Sequence, residues 1–397
     1  MEARAPDSAD SLIEAVEAIR PILEQHAPQS EADRRLADAS YDAMLHAGLF
    51  RMLSPRAFGG MELAPVEAYK VWEAVSRIDS AAGWNLQVAN GVASFAVWLP
   101  PEGGEQVFAD GPDVIAAGTF FPPAAATRAD GGWRVTGRTP FASGAHRAQW
   151  FFLPLVEIEG GAPKMDARTG EPVVMAGFLP RADVRLIDTW HTMGMRATFS
   201  VDVAVDDAFV PRHRAGSLGP IQAPAPAFTG PLYRLAPWPG VHGETTVSLG
   251  IAGSAIAKLV DLAGTRTPAF TATVLRDREM VQHHAARATA LVDASREYLH
   301  AAAAEACAAV AQGGALSARE KVRCQLAACF AAEACAQAVD LVHEAAGTSA
   351  IRSEPGLERH FRDIHTLTQH ASKSYGRYQS VGQMLFGLTP DWFVLTL

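Results

Sequence analysis

Four cysteines in 397 residues, Cys307, Cys324, Cys329 and Cys335, include no C-x-x-C pair. They lie in Ala-rich sequence of helical composition, which predicts reduced, packed thiols and excludes a disulfide framework. Charge is also sparse, at 19% of residues, and the 34 basic side chains against 43 acidic ones leave a net charge of −9. No Lys/Arg block is present to neutralise a row of phosphates, so nucleic acid is not an expected partner. Uninterrupted apolar runs fall short of the roughly 18 residues that a membrane span needs, and the N-terminal stretch carries acid where a signal peptide carries positive charge. A cytoplasmic protein with no membrane partner is expected. No G-x-G-x-x-G follows a strand, no Walker A sequence occurs and no βαβ alternation is visible, which removes the dinucleotide folds. His343-Glu344 opens like a zinc helix, but Gly347 occupies the place of the second histidine, and no metal site is expected. Phe141 stands two residues before Ser143 where a nucleophile elbow needs glycine, so a hydrolase is disfavoured.

Apolar residues make up 49% of the chain, enough for a sizeable core, and its length suits two or three domains at about 150 residues each. Leu12, Ile13, Val16, Ile19 and Leu23 keep helical spacing, Ser30-Glu31-Ala32-Asp33 reads as the start of a second helix, and Ser80 as the cap of a buried helix over Ala81 to Trp98. The pattern then turns to strands: Trp133 to Thr136 after the Asp130-Gly131-Gly132 turn, Trp150 to Val156, Val173 to Phe178 and Val201 to Val205. The Pro-rich stretch Pro220 to Pro226 reads as an extended linker, followed by helices over Val241 to Ala263, Ala272 to Gln312, Ser317 to Ala346 and Leu357 to Met384. Gly250, Gly253 and Ala302 to Ala304 suit close helix approach in an antiparallel bundle. The expected fold class is α+β: an N-terminal helical domain (1–112), a middle β-barrel or sandwich domain (113–225) and a C-terminal four-helix bundle (226–397). His360, His365 and His370 lie five apart on one predicted helix; each step rotates the side chain by about 140°, so the three are expected on different faces.

Three segments carry a resemblance. One runs from Gly137 to Trp150 with Phe141-Ala142-Ser143-Gly144 at its turn, the second is Asp188 to Ser200 leading into Val203 to Pro211, and the third combines Ala346 to Ile351 with Leu357 to Asp363 and His370. In this order, on an α-β-α layout, they resemble the acyl-CoA dehydrogenase superfamily from about Arg34 to Gly387. Within it the chain looks less like a dehydrogenase than like the oxygenase component of the group D two-component flavin monooxygenases. Many dehydrogenases place a proton-abstracting glutamate eight residues after the Arg-Asp pair; eight after Asp363 is Ala371, and one position earlier is His370, where the monooxygenases place a histidine over the flavin.

The resemblance implies a site. His370 and Ser143 would be catalytic, His370 assisting oxygen and proton transfer and Ser143 meeting the flavin N5/O4 edge. Phe141 would pack on the ring, Arg196, Thr198 and Ser200 would lie beside the cofactor, and Gly347, Thr348, Ser349 and Arg266 would meet its phosphates, the turn reaching a neighbouring subunit. Arg359 and Asp363 read as an ion pair four positions apart. Relatives often carry another histidine on the buried N-terminal helix, whereas Val88 to Val92 has none, leaving Asn90 or Trp84 to serve there. Phe120-Phe121-Pro122-Pro123 replaces the dehydrogenases' Thr-Glu-Pro-Gly, and Trp84, Phe95, Phe120, Phe121 and Trp238 would line an aromatic substrate cavity. The implied activity is hydroxylation of a phenol- or indole-type compound by reduced flavin (FADH2 or FMNH2) and O2 through a C4a-hydroperoxyflavin, with a separate NAD(P)H-flavin reductase and a homotetramer, or else a dimer. A dehydrogenase-like flavin oxidoreductase and a non-catalytic scaffold are the alternatives.

Overall fold

The computed structural model describes residues 8–167, 170–218, 227–228, 230–235, 237–311, 313–354 and 356–396. The Pro-rich linker expected over Pro220 to Pro226 lies outside them. The N-terminal helices are α1 (Ala9–Asp33), α2 (Asp38–His46), α3 (Pro65–Ile78), α4 (Ser80–Ser94) and α5 (Pro101–Val107). Ser30 starts no helix: α1 runs on to Asp33, and the Ser30 hydroxyl donates to the His26 carbonyl at 2.8 Å while accepting from the Ala37 N–H at 2.9 Å. The cap of α4 is Asp79 rather than Ser80, its carboxylate accepting the Ala82 N–H at 2.8 Å.

The middle of the chain forms β1 (Ala116–Gly118), β2 (Ala124–Ala129), β3 (Gly132–Ala142), β4 (Trp150–Glu159), β5 (Ala162–Pro163), β6 (Val174–Pro180), β7 (Arg185–Ile187), β8 (Val201–Pro211) and β9 (Ala215–Ser217). They join into one mixed sheet in the order β7-β8-β3-β2-β4-β6-β9, with β1 and β5 also on β4; β4 pairs parallel with β1 and β2 and antiparallel with β6. Its inward side chains, among them Val135, Phe151, Leu153, Leu155, Leu179, Val203 and Val205, make a core of their own, so the sheet curls on itself in barrel-like fashion. Phe152 and Phe178 point the other way, into the helices. Two buried faces explain why β4 reads as a continuous apolar run rather than an alternating one.

The C-terminal helices are α6 (Trp238–Gly243), α7 (Thr245–Ala263), α8 (Glu279–Ala311), α9 (Ala318–Ala346), α10 (Leu357–Leu367) and α11 (Gly376–Leu385). Packing of α7, α8, α9 and α10 against one another makes the bundle. A Cβ on Gly250 would lie 2.5 Å from the Ser76 Cβ, so this glycine brings α7 onto α3 rather than tightening the bundle itself. The N-terminal and C-terminal helices therefore share one core, in which Trp72, Leu86, Leu249, Ile251, Val339 and Ile364 are all fully buried. The helix expected over Leu357 to Met384 is broken between Leu367 and Gly376. His370 thus sits in a turn, off the helical face that the spacing rule assigned to it. All four cysteines are free thiols, and no cluster of metal-ligating side chains occurs among the described residues.

Candidate functional site

Strand β3 ends in a register shift between Thr139 and Ala142, and Phe141 takes a left-handed φ of +66°. That conformation costs a bulky residue about 1–3 kcal/mol. It leaves the Phe141 ring 62% exposed, edge-on to Trp190 at 6.2 Å, while Ser143 is buried. Trp84 of α4 donates its Nε1–H to Ser143 Oγ at 2.9 Å. The Ser143 and Ser200 hydroxyls lie 2.7 Å apart, those of Ser200 and Thr198 also 2.7 Å, and Thr198 donates to the Met195 carbonyl at 2.9 Å. Met195 and Phe199 are left-handed too, so three strained residues surround one hydroxyl network. Their loop is clamped onto α10. Asp363 accepts the Met195 N–H and the Ser80 hydroxyl, each at 2.5 Å, and Gly194, where a Cβ would fall 2.2 Å from the Arg362 carbonyl, permits the approach. Arg359 and Asp363 form the expected ion pair at 3.4 Å, and Arg359 also reaches Asp79 at 2.9 Å.

The other half of the site converges on Glu244, at the junction of α6 and α7. His370 Nδ1 lies 2.8 Å from its Oε2, Lys373 Nζ 2.8 Å and the Ser372 hydroxyl 3.0 Å. The same Nδ1 lies 2.7 Å from the Ser372 hydroxyl, so it is engaged on two sides and Nε2 is the nitrogen left for other chemistry. Burial alone would raise the Glu244 carboxyl; the charges of His370 and Lys373 outweigh it and hold the group down at about 2. The His370 ring stands edge-on to Trp84 with centroids 5.3 Å apart, and the Lys373 ammonium lies 5.1 Å from the same indole. One indole therefore joins Ser143 to His370. The imidazole side chain is 40% exposed, whereas Glu244, Lys373 and Trp84 behind it are buried.

The remaining expected site residues divide. Thr198 and Ser200 belong to the network just described. Arg196 is tied to α1, its Nε 3.3 Å from the Glu31 carbonyl and 3.6 Å from the Glu31 carboxylate. Asn90 is spent on the core: it accepts from Trp72 Nε1 at 3.0 Å and donates to the Phe50 carbonyl at 2.8 Å, which removes it from any substrate cavity. Phe95 and Phe120 pack ring on ring with Trp98 and Phe152, at centroid distances of 4.7–6.3 Å that leave no slot for a planar ligand between them. Phe121 is 74% exposed. Trp238 lies against His242 at 4.9 Å and lines a small apolar cavity with Tyr69, Leu299 and Cys324. Arg266 lies exposed after α7, and Gly347 and Thr348 lie exposed at the end of α9, with Ser349 buried beside them. No hydrogen bond among the described residues joins these four to Ser143 or His370.

Glu244, Ser372 and Lys373 escaped sequence reasoning. The signal was there: Glu244 is an acid at the entry to an apolar 19-residue helix, and Ser372-Lys373 follow His370 directly. A lone charge beside buried sequence needs a partner. For the implied flavin, the residues fit: Ser143 supplies a hydroxyl, Trp84 an aromatic ring and His370 an exposed imidazole, joined through the one indole.

Models of the acyl-CoA dehydrogenase N-terminal and C-terminal domains match residues 11–99 and 243–375. The chain is 30% identical to the flavin-dependent monooxygenase, oxygenase subunit HsaA, of Rhodococcus jostii, over 95% of this chain and 98% of that one. It is 29% identical to an indole-3-acetate monooxygenase of Pseudomonas putida, over 97% of each chain. The structure of XiaF from a Streptomyces species, solved with FADH2 and glycerol, superposes with a TM-score of 0.88 at 29% identity over 97% of both chains.

Proposed function

The chain belongs to the flavin-dependent monooxygenases of the acyl-CoA dehydrogenase superfamily, and from that premise we propose that it is an oxygenase component that hydroxylates a small phenol- or indole-type substrate. Reduced FAD or FMN arrives from a separate NAD(P)H-flavin reductase and, when bound, activates O2 so that one oxygen atom enters the ring and the other leaves as water. The observation that carries the reading is the Trp84 indole, which holds Ser143 on its N–H and His370 at its edge.

The chain's own groups have separable tasks. Ser143 offers an oxygen to the N5/O4 edge, with Phe141, Arg196, Thr198 and Ser200 around it. Trp84, itself buried, backs both Ser143 and His370. His370, its Nδ1 held between the Glu244 carboxylate and the Ser372 hydroxyl, presents Nε2 to take or return a proton at a substrate hydroxyl or ring N–H. Phe121 and Trp238 remain candidates for substrate contact. The dehydrogenase alternative needs a free carboxylate base. Glu244, pinned by three donors and held at about 2, is a poor one.

We read the enzyme as a cytoplasmic homotetramer, with a dimer as the alternative. Ile351, Phe386 and Leu388, 61–86% exposed, are surfaces that further subunits would cover, and the Gly347 to Ser349 turn and Arg266 would there meet a neighbour's flavin phosphates. The helices α7 and α9 are apolar enough to span a membrane by composition, but most of their residues are buried inside the fold. The test is a screen of phenols and indoles with a general flavin reductase under 18O2. One labelled oxygen atom in the product is expected; NADH consumption that yields only H2O2 across the panel, together with oxidation of an acyl-CoA, would overturn the reading.

A further inference from the structure

The hydroxyl network beside Ser143 has a direction. Its links are Trp84–Ser143 at 2.9 Å, Ser143–Ser200 at 2.7 Å, Ser200–Thr198 at 2.7 Å and Thr198–Met195 at 2.9 Å. Its ends are fixed by chemistry: an indole N–H only donates, and the Met195 carbonyl only accepts. Between them stand three hydroxyls with one proton each. Four links and four protons can all be satisfied in one arrangement alone, in which Trp84 donates to Ser143, Ser143 to Ser200, Ser200 to Thr198 and Thr198 to Met195. Thr198 is 1% exposed and Ser200 5%, so water is not at hand to satisfy a reversed hydroxyl. In this arrangement Ser143 has no proton to give outward. It has one lone pair.

We propose that Trp84, Ser200 and Thr198 are positioning residues that fix Ser143 as a hydrogen-bond acceptor, so that the site selects reduced flavin, whose N5 carries a proton, over oxidised flavin, whose N5 carries a lone pair. The inference rests on the reading of Ser143 as the N5 contact. With reduced flavin the four links persist and a fifth forms from N5–H to Ser143. Oxidised flavin either meets oxygen lone pair to nitrogen lone pair, or forces the three hydroxyls to turn, at the loss of the Thr198–Met195 link. Either way it has one hydrogen bond fewer, which corresponds to roughly fivefold in affinity, within a range of about 2–13-fold.

The experiment is anaerobic equilibrium titration of the whole protein with FAD and FADH2, and with FMN and FMNH2, comparing the ratio of the two dissociation constants. The same ratio is read independently as the two-electron potential of the bound flavin, where tenfold is about 30 mV. Thr198→Val and Ser200→Ala each free the Ser143 proton to turn outward while keeping Ser143 itself. Both are expected to reduce the preference for reduced flavin about fivefold, chiefly by tightening the oxidised form. Ser143→Ala is expected to abolish this part of the preference by weakening the reduced form. If Ser143→Ala shifts the ratio and neither relay variant moves it by twofold, the directional network is overturned and the N5 contact stands. If Ser143→Ala leaves both constants unchanged, the contact itself falls.

Discussion

Replacing Glu244 by Gln tests whether the carboxylate exists to hold Lys373 and His370 or merely to fill space. Lys373 is 1% exposed at its side chain and Glu244 10%, with 2.8 Å between Nζ and Oε2, so the substitution strands an ammonium group that water cannot reach. Removing one partner of such a pair costs about 3–5 kcal/mol, and the amide oxygen recovers only part of it by accepting from one of the three donors that now converge on Oε2. A loss of about 3 kcal/mol is therefore expected in urea denaturation at neutral pH. The double variant Glu244→Gln/Lys373→Met removes the stranded charge as well, and with it the uncompensated buried ion that dominates the loss. It should regain most of the stability. Product formed per flavin oxidised should stay low in both variants, because His370 Nδ1 has lost its carboxylate in each. A single variant that loses less than about 1 kcal/mol, or a double variant that recovers full coupling, would refute the reasoning.

His370→Ala should depress coupled hydroxylation by at least tenfold, with the flux appearing as H2O2 and an unchanged far-UV spectrum; unaltered product yield removes the residue from the mechanism. Asp363→Ala leaves the Met195 N–H and the Ser80 hydroxyl without a buried acceptor and removes one partner of Arg359, and should cost about 3 kcal/mol in denaturant midpoint measurements. A change under about 1 kcal/mol would mean that the loop from Asp188 to Ser200 is held from elsewhere. Burial pushes His146 and His242 down to about 4 and His360 to about 3. Below about 6.5 the unfolded chain takes protons that the folded protein refuses. Stability is therefore expected to be complete above that pH and to fall as the pH drops toward 4, by up to about 3 kcal/mol for fully buried His242 alone, and a flat stability curve between pH 7 and 4 would contradict it.

Much of the fold was legible because its elements are long and strongly patterned. The expected strand starts with β4 at Trp150 and stops three residues short of its end, and the helix over Ser317 to Ala346 falls within one residue of α9. What misled was local chemistry with two uses. Ser30 looks like a helix start, but serine's hydroxyl serves as well inside a last turn, where it binds the His26 carbonyl. The rotation rule for His360, His365 and His370 presumed a helix that ends at Leu367, and no proline or glycine marks the stop. At the site, the family pattern pointed to Ser143 and His370, while nothing in the sequence could say that one indole touches both. Asn90 and Phe95 had the residue types of a binding cavity; whether such side chains face a ligand or one another depends on tertiary placement, and here they face the core.

The two cores divide the molecule differently from the order of its residues. Helices from both ends of the chain solidify together, with α3 and α7 in contact through Gly250, while the sheet between them closes over its own interior. Neither helical end is then a module that can be expressed alone, since each would bare the surface the other conceals. The sheet brings its own inner core but not its outer one: a chimera that exchanges it between relatives would carry Phe141, Ser143 and Ser200 along as a set, and would have to match Phe152 and Phe178 to the recipient's helices.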